Sequence, residues 1–177
     1  MLMEYVFTLK YQLANDDRNI DDIVERLGQA GCDDALVGVG VPGRVTLEFT
    51  REAESAEAAV RSALVDVRSA LPTAQLIEAA PDLVGLTDAA ELVGVSRQNM
   101  RKLMVAHSGT FPTPIHEGSS VLWHLADLLV WLQSRAGYTL SQSMIEVAQM
   151  TLQVNIVKQQ QRVSRRLATG LRTLVMR

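Results

Sequence analysis

Apolar residues in the first part of the chain switch between two spacings, one typical of strands and one typical of helices. Every second residue is apolar over 5–11, and Val45, Leu47 and Phe49 share one face in the same way, which predicts strands. The predicted elements are, in chain order, a strand at 5–11, a helix with Ile20, Ile23, Val24 and Leu27 on its apolar face, strands at 35–41 and 44–50, a helix at 55–71 and a strand at 74–79.

The predicted order βαββαβ favours an α+β fold for residues 1–80. It is the order of the ferredoxin-like split sandwich, in which helices cover one face of an antiparallel sheet. This fold accommodates enzymes, metabolite sensors and dimerisation modules, so it does not decide the function. The glycine-spaced run 38–43 lacks the third glycine of a dinucleotide-binding loop, and none of the three histidines lies in this part. We therefore expect no catalytic activity and no cofactor.

Two further helical patterns meet at Gly94, which suits the positive-φ residue that ends a helix. Thr87 suits the N-cap of the first helix and Ser96 the N-cap of the second, whose apolar face carries Met100 and Leu103. The remaining side chains of the second helix then point away from the core, on a helix sized for the major groove of DNA. They are Arg97, Gln98, Asn99, Arg101 and Lys102. An ordinary α-hairpin that faces solvent is the alternative.

A β-hairpin and another helix are predicted directly after this pair. Two short strands within 111–123 flank the turn 117–120 and make a candidate wing. The following helix begins at His124 or Leu125 and ends near Gly137. Two aromatic residues are expected to anchor the core rather than bind a ligand, namely Trp123 and Trp131.

Four segments within residues 84–136 match the pattern of a known family. They are Leu86-Thr87-Asp88-Ala89-Ala90, Gly94-Val95-Ser96-Arg97, Phe111-Pro112-Thr113-Pro114, and Val121-Leu122-Trp123 ahead of Ala126-Asp127-Leu128. With these segments the chain resembles the winged helix-turn-helix of the MerR superfamily, in its excisionase or AlpA-like branch. The resemblance implies that the second helix enters the major groove and that the wing touches the neighbouring backbone or minor groove.

The resemblance places two sets of residues at double-stranded DNA. Helix Ser96–Val105 would read the major groove, because Arg binds guanine in bidentate fashion and Asn or Gln binds adenine. Base edges are expected to be met by Arg97, Gln98, Asn99 and Arg101. The DNA backbone is expected to be met by Ser96, Lys102 and the wing residues His116, Ser119 and Ser120. Glu117 departs from the family pattern, since such wings often carry Arg or Lys at the tip.

Residues 138–177 are predicted to form a long C-terminal helix with a basic tail. The segment 139–141 suits a cap, and no breaker follows before Gly170. A helix of roughly 27 residues would be ~40 Å long, and nothing in the same chain obviously buries that length, so we expect an intermolecular role. The tail carries no acid, and contact with DNA phosphates, contact with an acidic partner and simple solvation are alternatives. Its basic residues are Lys158, Arg162, Arg165, Arg166, Arg172 and Arg177.

The net charge of −3 conceals a division of the chain. Residues 1–82 hold 15 acidic and 7 basic residues, a balance of −8, whereas residues 83–177 hold 5 and 10, a balance of +5. We place a domain boundary at Pro81-Asp82, which gives a ferredoxin-like domain at 1–80, a winged domain at 81–137 and the helical segment at 138–177. Only the later part has the positive charge that phosphate binding requires.

The remaining composition favours a cytoplasmic protein. No segment approaches the ~18 consecutive apolar residues of a membrane span, and the N-terminus lacks the features of an export signal. The single cysteine, Cys32, excludes an intrachain disulfide and is interpreted as incidental. The acidic cluster Asp16, Asp17, Asp21 and Asp22 suits a solvated helix start better than a metal site.

These patterns together predict a homodimeric, sequence-specific DNA-binding transcriptional regulator without membrane contact. Two alternatives stay open. One is an antitoxin or other interaction protein, which binds a protein partner through its C-terminal helix or its acidic N-terminal domain and regulates its own operon. The other is a metabolite-sensing regulator with an effector pocket in residues 1–80.

Overall fold

The computed structural model describes residues 1–176, and in that range it is an α+β structure with seven helices and two antiparallel sheets. The first part contains β1 (Met3–Gln12), α1 (Ile20–Gln29), β2 (Ala35–Gly38), β3 (Arg44–Ala53), α2 (Ala56–Ala70) and β4 (Gln75–Ala80). The second part contains β5 (Leu83–Val84), α3 (Leu86–Leu92), α4 (Arg97–Ala106), β6 (His116–Glu117), β7 (Val121–His124), α5 (Leu125–Gln133), α6 (Gln142–Gln160) and α7 (Arg165–Val175).

The first sheet has the strand order β2-β3-β1-β4, and each neighbouring pair is antiparallel. Strands β1 and β3 pair over their whole length, from Met3 opposite Ala53 to Gln12 opposite Arg44. Their alternate side chains are buried under the helices, as the period of two predicts. This inner face consists of Tyr5, Phe7, Leu9 and Tyr11 from β1 and Val45, Leu47 and Phe49 from β3.

Helix α1 buries a narrower face than the sequence predicts. Asn19 caps the helix by accepting hydrogen bonds from the backbone N–H groups of Asp21 and Asp22. Ile23 and Leu27, one turn apart, are buried, but Val24 is 44% exposed. The predicted burial of Val24 is wrong, because a residue one position along a helix points about 100° away from its neighbour.

Arg51 is a buried cation that ties the acidic first part together. Its guanidinium donates to both carboxylate oxygens of Asp34 at 2.6 and 2.9 Å, to Asp66 at 2.8 Å and to the carbonyl of Gly31 at 2.8 Å. These acceptors raise the pKa of Arg51, chiefly through the bond to Asp34. The network joins β3, α2 and the loop before β2 around one charge.

The second part is built on the small sheet β5-β7-β6 and three short helices. Its core includes Trp123 at 5% exposure and a row of α5 side chains, Leu125, Leu128, Leu129 and Leu132. Helix α3 starts two residues earlier than predicted, with Gly85 rather than Thr87 at the N-cap. The reason is that the Asp88 carboxylate accepts the free backbone N–H of Gly85 at 3.3 Å.

The predicted long C-terminal helix is wrong, since α6 and α7 are separate. The backbone N–H groups of Arg162 and Val163 bond to carbonyls three residues back at 3.0 Å, which tightens the last turn and ends α6. The first half of α6 is also packed within the same chain, where Ile145, Val147, Ala148 and Thr151 are buried. Val147 joins the core of the first part, while Ile145 and Ala148 join the core of the second. Helix α6 therefore holds the two parts of the chain together.

Candidate nucleic-acid interface

Helices α3 and α4 follow each other across a short turn at Gly94, where the sequence predicts two helices to meet. Gly94 has φ 73°, and the N–H of Val95 closes the turn by donating to the carbonyl of Ala90 at 2.9 Å. Ser96 caps α4, because its hydroxyl accepts the N–H of Asn99 at 3.1 Å. Met100 is fully buried and packs with Ala90. These contacts confirm the predicted turn and cap, and they decide which side of α4 faces outward.

The outward side of α4 is polar, basic and free of internal bonds. All the residues that the sequence assigns to the groove side are exposed, namely Ser96, Arg97, Gln98, Asn99, Arg101 and Lys102. The side chains of the last five make no hydrogen bond or ion pair within residues 1–176, and α4 contains no acidic residue. Such side chains can bind phosphates and base edges without first breaking an interaction inside the protein.

The carboxyl end of α4 is fixed by residues that the sequence did not single out. Arg135, just after α5, stacks over the Trp131 ring at 3.8 Å, donates to Thr110 at 3.3 Å and lies 3.3 Å from Nε2 of His107. Phe111 meets Trp131 edge-on at 4.9 Å between centroids. This cluster holds α4 against α5, and no local pattern could have indicated it because Arg135 lies 28 residues from His107.

The hairpin that the sequence offers as a candidate wing, called the wing below, is the antiparallel pair β6–β7, with Glu117 opposite Val121. Trp123 anchors its base by donating its indole N–H to the carbonyl of Pro112 at 3.0 Å. The predicted contact residues His116, Ser119 and Ser120 are all exposed. The tip has no Lys or Arg and carries Glu117, so the wing offers hydroxyl, imidazole and backbone groups rather than positive charge.

A buried polar network lies behind the wing, between the two parts of the chain. Asp82 is 2% exposed, and its carboxylate accepts from Nδ1 of His124 at 2.6 Å and from the side-chain amide of Asn155 at 2.7 Å. The same amide group bonds both the N–H and the carbonyl of Ala79, at 2.9 and 2.8 Å. Asp82 adjoins the boundary that the charge division indicates, but its partners lie 42 and 73 residues away.

Other reactive groups fall outside this interface. Cys32 is buried in the first core, and burial raises the pKa of its thiol from 9.0 to about 11, so it is a poor nucleophile. Residues 1–176 contain no cluster of three or more His, Cys, Asp or Glu that could hold a metal ion. Within the same range no helix is long and apolar enough to cross a membrane.

The basic tail divides between the two last helices. Lys158 points back to the carbonyl of Ile77 and is part of the packed α6. Helix α7 buries none of its residues and exposes the basic side chains of Arg165, Arg166 and Arg172. Arg177 lies outside the described residues.

Comparison of the chain with protein-family models, curated proteins and solved structures found no match.

Proposed function

We propose that the protein is a sequence-specific regulator of transcription that binds double-stranded DNA by placing α4 in the major groove. The observation that carries this proposal is the division of α4 into one fully buried side at Met100 and one side of unpaired polar and basic groups. Arg97, Gln98, Asn99 and Arg101 would meet base edges. Ser96, Lys102, His116, Ser119 and Ser120 would meet the DNA backbone.

The proposal assigns the two parts of the chain different tasks. Residues 84–136 act as a winged helix-turn-helix of the MerR type, and residues 1–80 act as a ferredoxin-like domain. The balance of +5 after residue 82 attracts phosphate, whereas the balance of −8 before it repels phosphate. The acidic part would therefore lie on the side away from the DNA, with the winged part between them.

We further propose that two copies act together through α7. Helix α7 exposes an apolar stripe at helical spacing, formed by Leu167, Leu171, Leu174 and Val175. Such a stripe on an otherwise unpacked helix is typical of an interaction surface. A twofold dimer would bind an inverted repeat whose half-sites lie a whole number of DNA turns apart, each about 10 base pairs.

Selection of bound sequences from a random DNA pool by the full-length protein tests both statements. An enriched inverted repeat supports a dimeric reader, whereas the absence of any enriched sequence contradicts sequence-specific binding. An enriched asymmetric site would contradict the twofold dimer alone.

A pair of double variants tests the position of the reading helix. Arg97→Ala with Arg101→Ala should abolish the sequence preference, since a bidentate contact to guanine contributes about 1–3 kcal/mol of discrimination. The matched control is Arg61→Ala with Arg68→Ala, which removes the same charge from the exposed side of α2. Band shifts with the selected site and a scrambled site measure the preference. Equal losses in both double variants would contradict a role for α4.

Helix α7 also favours a second candidate function, that of an interaction protein that regulates its own operon. The charged residues of α7 beside its apolar stripe are all basic, so an acidic, apolar partner protein would suit it. The two functions predict different oligomeric states for a protein that lacks residues 165–177. Loss of the dimer supports pairing of two copies, whereas an unchanged oligomer leaves α7 free for another protein.

A further inference from the structure

A cavity of about 540 Å³ lies where β4, β5, the base of the wing and the end of α6 meet. Its walls include four large apolar residues that are each 42–56% exposed, namely Leu83, Ile115, Ile156 and Val163. Small-molecule sites are typically apolar cavities of about 300–1,000 Å³ at domain junctions, with a few well-placed polar groups. This cavity has that size, that position and that lining.

One polar group in the cavity is held in a defined state. The imidazole of His124 lines the cavity, and its Nδ1 lies 2.6 Å from the Asp82 carboxylate. A carboxylate accepts hydrogen bonds and donates none, so Nδ1 carries the proton that bonds Asp82. In the neutral tautomer the other nitrogen, Nε2, has a free lone pair, and no hydrogen bond to it is formed within residues 1–176. Among the polar groups that line the cavity, this nitrogen is the one whose ring is fixed by a buried partner.

The acceptor is also fixed in position. Asn155 donates to the second oxygen of Asp82 at 2.7 Å, and its amide is itself held by the backbone of Ala79. The backbone carbonyl of Asp82 accepts the N–H of Leu125 at 2.7 Å. The imidazole is therefore oriented before any ligand arrives, which lowers the entropic cost of binding.

We propose that this cavity binds a small, mainly apolar molecule that carries one hydroxyl or N–H donor, and that Nε2 of His124 accepts this donor. The apolar walls select a short hydrocarbon or aromatic body, and the fixed acceptor on His124 selects a donor on it. Phenols and indoles of modest size have this chemistry.

The position of the cavity gives the bound molecule a way to act on the wing. Ile115 directly precedes β6, and its N–H bonds the carbonyl of Leu122 in β7 at 2.8 Å. Leu83 pairs with His124 across β5 and β7. A ligand would contact both sides of the base of the wing. This regulatory consequence rests on the proposed DNA-binding function, whereas the binding site itself does not.

A matched pair of probes tests the site on the full-length protein, with NMR titration of the histidine side chains as the readout. The probes are 4-propylphenol and 4-propylanisole, which differ in the presence of the hydroxyl donor. We expect saturable binding of the phenol, a shift of the His124 Nε2 resonance, and about tenfold weaker binding of the anisole, since the donor's hydrogen bond is lost. Equal affinities, or no saturable binding of either probe, would overturn the proposal.

Two variants test the cavity without changing His124 or its partners Asp82 and Asn155. Ile156→Trp fills the cavity without touching the buried network and should abolish phenol binding, whereas Val65→Trp, on the exposed side of α2, should not. Phenol binding that survives Ile156→Trp contradicts the site. Binding of the wild-type protein to DNA is measured separately. A protein that binds the phenol but no specific DNA contradicts the proposed function alone. A protein that binds specific DNA but not the phenol contradicts this inference alone.

Discussion

At the scale of single residues, short-range chemistry decides the exposed surface of α4. Met100 has no exposed surface, while Val105 on the same helix is 64% exposed. Ser96 and Gly94 were predictable from the sequence because a cap and a positive-φ turn depend on neighbouring backbone groups alone. The role of Arg135 was not predictable, since its contacts with His107 and Thr110 form only after α5 has packed against the end of α4.

Met100 is expected to dominate the stability of the helix-turn-helix pair. Met100→Ala should lower the free energy of unfolding by about 2–5 kcal/mol, because it removes a buried side chain and leaves a cavity. Val105→Ala is the control on the same helix and should change the free energy by less than about 0.5 kcal/mol. Urea denaturation measures both. Similar losses in the two variants would contradict the buried position of Met100.

Cys32 gives the stability of the first part a defined pH dependence. The folded protein holds the thiol in its neutral form up to a pKa of about 11, whereas the unfolded chain ionises near 9.0. The unfolded state thus releases a proton first, and stability that is complete below pH 9 falls as the pH rises toward 11.

Denaturation of the wild type and of Cys32→Ala at pH 8 and pH 10.5 isolates this contribution. The variant is expected to lose less stability between the two pH values, although its absolute stability is lower at both. Tyr11 is present in both proteins, and its pKa is raised chiefly by burial and only secondarily by the charge of Cys32, so most of its contribution is common to the two. A parallel decline in the two proteins would show that the Cys32 thiol does not titrate in this way.

At the scale of elements, the periodicity of the sequence did not predict that the last segment forms two helices, α6 and α7. The run from Ser141 lacks a breaker, so the sequence predicts one helix, and the end of α6 becomes visible only in its backbone hydrogen bonds. The role of α6 was hidden for a related reason. Val147 faces the first core and Ile145 the second, so α6 has two buried faces and no single apolar stripe.

Removal of residues 165–177 is expected to separate association from folding. Because α7 has no buried residues, the truncated protein should keep the fold of the remaining chain, as measured by its circular dichroism spectrum. Its mass by light scattering should fall to that of a monomer if α7 pairs two copies. Leu171→Asp should reproduce the effect within the full chain, since a charge in the stripe opposes burial. A truncated protein that remains dimeric would assign the pairing to another surface.

At the scale of the whole molecule, a few long-range polar contacts fix the acidic part to the basic part. The strands and helices of residues 3–80 follow from local alternation, and they agree with the predicted element order. The contact of Asn155 with Ala79 and Asp82 spans more than 70 residues and leaves no trace in any local pattern. For that reason the cavity beside it was not predictable.

Asn155→Ala should loosen this connection. It removes the partner of the Ala79 N–H and carbonyl and one partner of the buried Asp82, and each buried group left unpaired costs about 1–3 kcal/mol. Hydrogen exchange at the Ala79 amide should accelerate by at least about tenfold. Gln153→Ala, on the exposed side of α6, should leave that exchange rate unchanged. Unchanged protection in Asn155→Ala would contradict the bridging role.

The contact of α6 with β4 also opposes aggregation of the protein through its sheet. An unpaired strand at the border of a sheet is a template onto which a second chain can add. Here the side chain of Asn155 bonds the N–H and carbonyl of Ala79, and Lys158 donates to the carbonyl of Ile77. Few backbone groups on the outer side of β4 therefore remain free to pair with another strand. The opposite border, β2, is only four residues long. The sheet is thus largely closed to extension at β4, and at β2 it offers only a short template to a foreign chain.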